Sequence, residues 1–319
     1  MHPLAQLGFH LRTQVLTDPL HRPVAREAED SLRFERLFGE IADVLPALRR
    51  SGKTHLCFWG HGPFHYLPFS LLHLEGRPLA DTWTVTSVPS LSSVRVLRVD
   101  AETTGRPRGS GLLTVGAALG GAAWDLPAEP ALEEHARAVA RAAAGTALTG
   151  SEATAKAFIA RAPGARYLHI AAHGSLDQAA PSFQCLYLNP PDAGTEGRLF
   201  AHEVLTMDLR GVELVTLSAC ESALGRFDLV DEVRGLTAAF LIAGADAVVG
   251  CLWPVRVPVA THFFSALYQA MSREGDARLA FRHTQKSTRE AFPQYRDWGT
   301  FAYSGAWRPI GERVPKWTS

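Results

Sequence analysis

Two residues in the middle of the sequence carry side chains that together could break an amide bond. His173 and Cys220 each follow an apolar run typical of a β-strand, YLHIAA and LVTLSA. A thiol becomes a strong nucleophile when it loses its proton, and an imidazole with a pKa of about 6.5 can take that proton. The pattern predicts a nucleophilic Cys220 with His173 as its proton-transfer partner. The backbone N–H groups of Gly174 and Cys220 are candidates to hold the resulting oxyanion.

Each residue alone also has an ordinary structural explanation. A cysteine at the end of a strand is usually a small buried hydrophobic residue, and a His-Gly pair usually forms a turn. The combination is more informative, because open α/β sheets bind ligands at the carboxyl ends of their strands. The two residues are 47 positions apart. If their strands are parallel neighbours, both side chains emerge at the same edge of the sheet.

The elements that must position these residues alternate between strand and helix. Strands are predicted at 82–89, 111–119, 166–174, 212–220, 245–253 and 300–305. Helices are predicted at 31–49, 129–145, 151–162, 199–209, 231–245, 258–273 and 276–291. The first helix places apolar residues on one face, namely Phe34, Leu37, Phe38, Ile41, Val44, Leu45 and Leu48. Such alternation predicts an α/β fold, with a mostly parallel sheet flanked by helices on both faces.

A polar segment rich in glycine and proline, residues 101–111, is the best internal linker. It divides the chain into a non-catalytic N-terminal subdomain, residues 1–108, and a catalytic core, residues 109–319. The N-terminal third is expected to extend the same sheet.

Composition narrows the classes of partner. The 319 residues include 32 basic and 32 acidic side chains, so bulk charge gives no reason to expect nucleic acid. The N-terminus lacks the features of a signal peptide, and no apolar run reaches the roughly 18 residues of a membrane span. The four cysteines show no CxxC spacing. The sequence therefore indicates a cytoplasmic protein with no membrane or nucleic-acid partner and no disulfide framework.

Other residues that resemble functional ones have simpler interpretations. His55, His61, His65 and His73 lack a cysteine or paired carboxylates to complete a metal site, so no metal is expected. The pair His61-Gly62 is expected to form a turn. Three cysteines, Cys57, Cys185 and Cys251, lie in apolar runs and are expected to be buried. His169 either orients the site or, more simply, is a hydrogen-bonded core histidine.

Four segments in order resemble successive blocks of the CHAT family of caspase-like peptidases, which are related to separase. They are HIAAHG (169–174), LVTLSACESALG (214–225), GLTAAFLIAGADAVVGCLWPV (235–255) and WGTFAYSG (298–305). Upstream, HGPFHYLPFSLL (61–72) resembles the block that precedes the family's core. The resemblance spans roughly residues 31–310.

The resemblance implies a caspase-like fold and a Cys–His dyad, which carries over to Cys220 and His173. It also implies no cofactor, no obligatory third catalytic residue and a polypeptide substrate. Such peptidases often serve regulated bacterial defence or cell-death systems, so regulated activity is expected, and any activating sensor or repeat module would lie on another chain or outside this sequence. Ser222 departs from the threonine common in the family after Ala-Cys-Glu. Ser218 stands where an aspartate forms the basic-residue pocket in metacaspases, so specificity for arginine or lysine does not follow.

The substrate-binding residues are less constrained. The loop at 225–232 is expected to border the pocket, where Asp228, Asp231 or Glu232 could favour a basic side chain. Asp231 is favoured instead as a cap of the following helix. Trp253 either lines the substrate groove or packs its own loop. Two further functions stay open: a non-catalytic caspase-like scaffold, and an acyltransferase that uses the same dyad.

Overall fold

An eight-stranded sheet organises the computed structural model, which describes residues 33–34, 38–60, 64–65, 67–90, 108–175, 177, 180–192, 197–220, 222–227 and 233–306. Its strands are β1 (His55–Phe58), β4 (Thr84–Ser87), β5 (Leu112–Gly116), β6 (Thr146–Leu148), β7 (Tyr167–Ala171), β11 (Leu214–Ser218), β14 (Ala247–Cys251) and β15 (Phe301–Gly305). Smaller sheets use β2 (His73–Leu74), β3 (Arg77–Pro78), β8 (His173–Ser175), β9 (Cys185–Tyr187), β10 (Arg198–Phe200), β12 (Arg226–Phe227) and β13 (Val233–Arg234).

Nine helices accompany these strands within the described ranges. They are α1 (Glu40–Arg50), α2 (Leu79–Thr82), α3 (Ala131–Ala142), α4 (Ala155–Arg161), α5 (Ala201–Val204), α6 (Leu236–Ile242), α7 (Val257–Glu274), α8 (Ala277–Ala291) and α9 (Tyr295–Trp298). None of these nine has the length and apolar character that crossing a bilayer requires.

The strand order in the large sheet is β1-β4-β15-β14-β11-β7-β5-β6. Every neighbouring pair of these described strands is parallel except β14 with β15. The fold is therefore α/β with a mostly parallel sheet, as the alternating pattern predicts. Strands β1 and β4 of the N-terminal third belong to the same sheet, as expected. The division into subdomains at residue 108 stays a prediction.

Helices cover both faces of this sheet. On one face, side chains of α4, α5 and α6 pack on alternate strand residues such as Leu168, Ile170 and Leu217. On the other face, α3, α7 and α8 pack on the intervening residues, including Leu214 and Val249. Every residue of β5, β11 and β14 is buried, which is the usual state of parallel strands between two helical layers. Their near-continuous apolar sequence explains why they are predictable.

Helix α1 buries only part of the face that its apolar pattern predicts. Ala42 and Leu45 are buried, whereas Ile41, Val44 and Leu48 are 58%, 51% and 36% exposed. The predicted apolar stripe is wider than the surface that the helix meets, so only one edge of the stripe packs on the core. The expectation that the whole apolar stripe is buried is therefore wrong for Ile41, Val44 and Leu48.

The three-stranded sheet of β8, β9 and β10 was not predicted. The chain breaks its strand at Ala172, and His173 begins β8, which pairs antiparallel with β9. Leu186 and Leu199 on the inner face of this sheet are fully buried in the main core. Strands of three residues show no readable periodicity, so the apolar run around Cys185 gives no sign of the strands that pair with it.

A buried polar chain links β7, β11 and two helices. His169 Nδ1 lies 2.7 Å from the Thr216 hydroxyl, and its Nε2 lies 2.9 Å from His135 Nε2. His135 Nδ1 in turn lies 2.6 Å from the Thr261 hydroxyl, which donates to a helix carbonyl four residues earlier. His169 is thus the hydrogen-bonded core histidine of the simpler interpretation. Only one proton fits between the two facing Nε2 atoms, so the two rings cannot both be protonated.

Burial lowers the pKa of His135 to about 4, and burial together with the nearby His135 lowers that of His169. An unfolded histidine titrates near 6.5, so between pH 6.5 and 4 the unfolded chain binds the proton that folded His135 refuses. Folding stability contributed by neutral His135 is complete above pH 6.5 and is lost as the pH falls through this window.

We predict that the unfolding free energy falls less on acidification in His135→Gln than in the parent. From pH 7 to pH 5 the difference should be about 2 kcal/mol, because each pH unit below 6.5 costs about 1.4 kcal/mol per refused proton. Urea unfolding at the two pH values measures it. Equal losses in the parent and the variant would show that His135 does not titrate in this way.

Candidate active site

His173 and Cys220 follow two neighbouring parallel strands, β7 and β11, at equivalent positions. The two strands pair in parallel from Tyr167 with Leu214 to Ala171 with Ser218, always 47 positions apart. His173 and Cys220 have the same separation, and each lies two residues beyond the last pair. The spacing seen in the sequence is therefore the register of two neighbouring strands, carried two residues past their ends.

Gly174 packs directly against the turn that carries Cys220. A Cβ atom placed on Gly174 would lie 3.0 Å from the Cys220 carbonyl oxygen and 3.2 Å from the Ala219 Cβ. Both distances are tighter than ordinary carbon contacts, so any side chain here would push the Cys220 turn by a few tenths of an ångström, and the close approach favours glycine. The backbones of the two residues expected to hold an oxyanion are therefore in contact, and that role itself stays a prediction.

A backbone carbonyl orients the His173 ring. His173 Nε2 lies 3.0 Å from the carbonyl oxygen of Pro127, and the residue is partly exposed. A carbonyl oxygen can only accept a hydrogen bond, so Nε2 carries the proton and Nδ1 is left as the basic nitrogen. An imidazole held in this tautomer has one nitrogen free of the Pro127 contact, and that nitrogen can act as a base.

The loop that supplies the Pro127 carbonyl is anchored at both ends. The buried Asn189 side chain accepts the Leu119 N–H at 2.8 Å near the start of the loop, and the Glu129 N–H donates to the Ala118 carbonyl at 2.8 Å near its end. In the middle of the loop, Trp124 packs on Tyr187 of β9, with ring centroids 5.3 Å apart. Sequence reasoning missed Pro127, because a backbone carbonyl leaves no mark in the side-chain pattern.

The four cysteines differ in exposure. Cys220 is partly exposed, while Cys185 and Cys251 are buried as expected, and burial raises the pKa of the Cys251 thiol. The expectation for Cys57 is wrong, because this residue is exposed. It lies on β1, the first strand of the described sheet, where one side chain of the strand faces outward. Any thiol reagent must therefore be assumed to reach Cys57 as well as Cys220.

Comparison with known protein families gives a match to the CHAT domain over residues 14–306. The chain belongs to the CHAT domain family. Two mammalian relatives are each named Tetratricopeptide repeat protein 28. The mouse protein is 35% identical over 103 residues, or 31% of this chain and 4% of that protein. The human protein is 25% identical over 289 residues, or 77% of this chain and 12% of that protein. The chain thus spans a small part of these relatives.

Solved structures share the fold at low sequence identity. A Saccharomyces cerevisiae separase–securin complex has a TM-score of 0.51 and 12% identity, covering 79% of this chain and 16% of that one. The Porphyromonas gingivalis RgpB pro- and mature domains give 0.54 and 11%, covering 87% and 71%. A structure named as a protease gives 0.56 and 11%, covering 84% and 67%. The CHAT domain therefore has the caspase-like fold of these peptidases.

The residues expected to bind substrate are only partly accounted for. Asp228, Asp231 and Glu232 lie outside the described residues of this CHAT domain. Helix α6 begins at Leu236 with Gly235 as its N-cap, and the capping role favoured for Asp231 stays a prediction. Trp253 is 2% exposed, and its indole N–H donates to the Arg296 carbonyl at 2.7 Å. The structure therefore favours the packing alternative for Trp253.

Two other features bear on a functional site in the CHAT domain: its metal-ligating side chains and a small cavity. Among the residues that the structure describes, no three histidine, cysteine or acidic side chains approach closely enough to hold a metal ion. His61 is outside these residues. A cavity of about 60 Å³ lies where β4 meets β15, and its walls include Ser87, Ser304 and Ala223, but neither His173 nor Cys220.

We predict that Gly174→Ala lowers kcat/KM for a cleaved peptide about 10-fold or more, since the added methyl group displaces the Cys220 turn. The matched control is Gly164→Ala, because a Cβ there meets nothing within 4 Å. Thermal unfolding and steady-state kinetics on the parent and both variants separate a loss of stability from a loss of activity. Full activity in a folded Gly174→Ala variant would contradict the close approach.

Proposed function

We propose that this CHAT domain is a cysteine endopeptidase that cleaves a polypeptide with Cys220 as nucleophile and His173 as base. The observation that carries the proposal is that the two residues lie two positions beyond the last pair of β7 and β11, with the same 47-residue separation as every pair of these strands. The partial exposure of the Cys220 thiol and the ring orientation from Pro127 support it. Family membership and the caspase-like fold agree with it.

The first half of the reaction forms an acyl-enzyme. His173 Nδ1 takes the thiol proton, and the thiolate of Cys220 attacks the substrate carbonyl carbon. The N–H groups of Gly174 and Cys220 stabilise the oxyanion. When the intermediate collapses, the carbon–nitrogen bond breaks and His173 gives its proton to the leaving amine. The Pro127 carbonyl stabilises the transient imidazolium through the Nε2–H bond.

The second half regenerates the enzyme. His173 Nδ1 removes a proton from a water molecule, and the resulting hydroxide attacks the thioester carbon. The carbon–sulfur bond then breaks, the substrate leaves as a carboxylate product, and the thiol regains its proton. The proposed steps use the chain's own residues and draw on no cofactor.

The proposal includes regulation by a partner in a bacterial defence or cell-death system of the cytoplasm. One observation supports a partner module: the mammalian relatives are far longer than the matched region and are named for tetratricopeptide repeats. In this arrangement a sensor or repeat module switches the peptidase on.

A second candidate function is a non-catalytic scaffold. The names of the two mammalian relatives refer to their repeats, and this favours a binding role for the domain. In a scaffold the His173–Cys220 pair would be retained without turnover.

We expect the parent chain to cleave members of a diverse peptide library, and both Cys220→Ala and His173→Ala to lose at least about 100-fold in rate. Mass spectrometry of the products identifies the cleaved bonds. The Cys57→Ser variant is the matched thiol control and should cleave at the parent rate, because Cys57 lies far along the sheet on β1.

Cleavage that survives in Cys220→Ala would sink the mechanism. If the parent is silent, a peptidyl electrophile decides between the candidates. Selective labelling of Cys220 would indicate an enzyme that awaits its activator, and unreactive Cys220 would favour the scaffold.

A further inference from the structure

The turn that carries Cys220 is fixed to the sheet by the residue two positions later. Ser222 is fully buried, and its hydroxyl lies at hydrogen-bond distance from backbone groups of two different strands. It donates to the Leu217 carbonyl of β11 at 3.2 Å and accepts the Cys251 N–H of β14 at 3.0 Å. The paired residues of these strands end at Thr216 with Val249. The hydroxyl therefore bridges the two strands just beyond their last pair.

Two further bonds hold the same short segment. The Thr237 hydroxyl of α6 donates to the Ser222 carbonyl at 3.0 Å, and the Ala223 N–H donates to the Cys251 carbonyl at 3.0 Å. Gly250 completes the contact, because a Cβ on it would lie 2.9 Å from the Ala223 nitrogen. The turn is thus attached to β14 and α6 through both the backbone and the side chain of Ser222.

The attachment matters because the opposite side of the turn faces Gly174. A Cβ on Gly174 would lie 3.0 Å from the Cys220 carbonyl oxygen, so the turn has little room on that side. Cys220 is therefore held between β8, which carries His173 and Gly174, and the Ser222 contacts on β14. Any loosening of the Ser222 side changes the distance between the thiol and the imidazole.

We propose that Ser222 is a positioning residue that holds the Cys220 thiol at the distance from His173 that proton transfer needs. It acts through the turn and touches neither the substrate nor His173. The inference rests on the proposed function of the dyad. Loss of the hydroxyl leaves the Leu217 carbonyl and the Cys251 N–H without this partner, and the turn relaxes away from β14.

The test compares Ser222→Ala with Ser70→Ala in a Cys57→Ser background. Ser70 is also a buried serine, and its hydroxyl accepts a bond from Gln285 Nε2 at 3.2 Å on the N-terminal side of the sheet. The first readout is the rate at which iodoacetamide alkylates Cys220, measured by peptide mass spectrometry. The second is kcat and KM for a cleaved peptide, and the third is thermal unfolding. Both variants should lose a similar amount of stability.

In Ser222→Ala we expect kcat and the alkylation rate to fall about 10-fold or more, with KM within about 3-fold of the parent. In Ser70→Ala the values of kcat, KM and the alkylation rate should match those of the parent. A parent-like alkylation rate in folded Ser222→Ala overturns the proposal. So does an equal loss in Ser70→Ala, because the effect would then follow global stability.

If Ser222→Ala does not fold, Thr237→Val takes its place, since it removes the hydroxyl that holds the Ser222 carbonyl. Slower alkylation of Cys220 in Thr237→Val supports the proposal, and an unchanged rate overturns it. The alkylation arm needs no peptide cleavage. Absence of cleavage in the parent would count against the proposed function alone, and the relative alkylation rates would still decide the role of Ser222.

Discussion

The register between β7 and β11 is the constraint on which the rest of the site depends. It pairs His169 with Thr216 and Ala171 with Ser218 along one side of the strand pair, and His173 and Cys220 each follow two residues beyond the last pair. A slip of one residue would turn every side chain to the opposite face. It would also break the buried bond of 2.7 Å between His169 and Thr216, leaving polar groups without partners in the core. The buried histidine chain therefore protects the alignment of the proposed dyad, His173 and Cys220.

The proposed base and nucleophile lie where the regular pairing stops, and each departing segment is held by a new contact. After Ala172, whose N–H still bonds to the Ser218 carbonyl, the chain enters β8 and the small antiparallel sheet. After Ser218 the turn is secured to β14. The anchored loop of Pro127 then reaches the His173 ring. A rigid sheet thus sets the position of the site, and irregular backbone at its edge supplies the contacts that a regular ladder could not.

The sequence was most informative where burial dictates composition. The apolar runs of β7, β11 and β14 are sandwiched between helices, so their sequence alone predicts strands, and the 47-residue spacing follows from their register. It was least informative where backbone atoms or tertiary contacts determine the local structure. The Pro127 carbonyl has no side-chain signature, the short strand β9 has no period, and β15 gives no sign of its antiparallel direction. Cys57 has an apolar context, but its strand stands at the end of the described sheet.

The most direct test of the account is the crystal structure of the chain with a peptidyl aldehyde, which forms a reversible hemithioacetal with a catalytic thiol. The account predicts a carbon–sulfur bond to Cys220, with the aldehyde oxygen within hydrogen-bond distance of the N–H groups of Gly174 and Cys220. It also predicts that His173 Nδ1 faces the adduct while Nε2 keeps its bond to the Pro127 carbonyl. An adduct on another cysteine, or one at Cys220 with His173 turned away from it, would contradict the central claim that strand register assembles a working dyad.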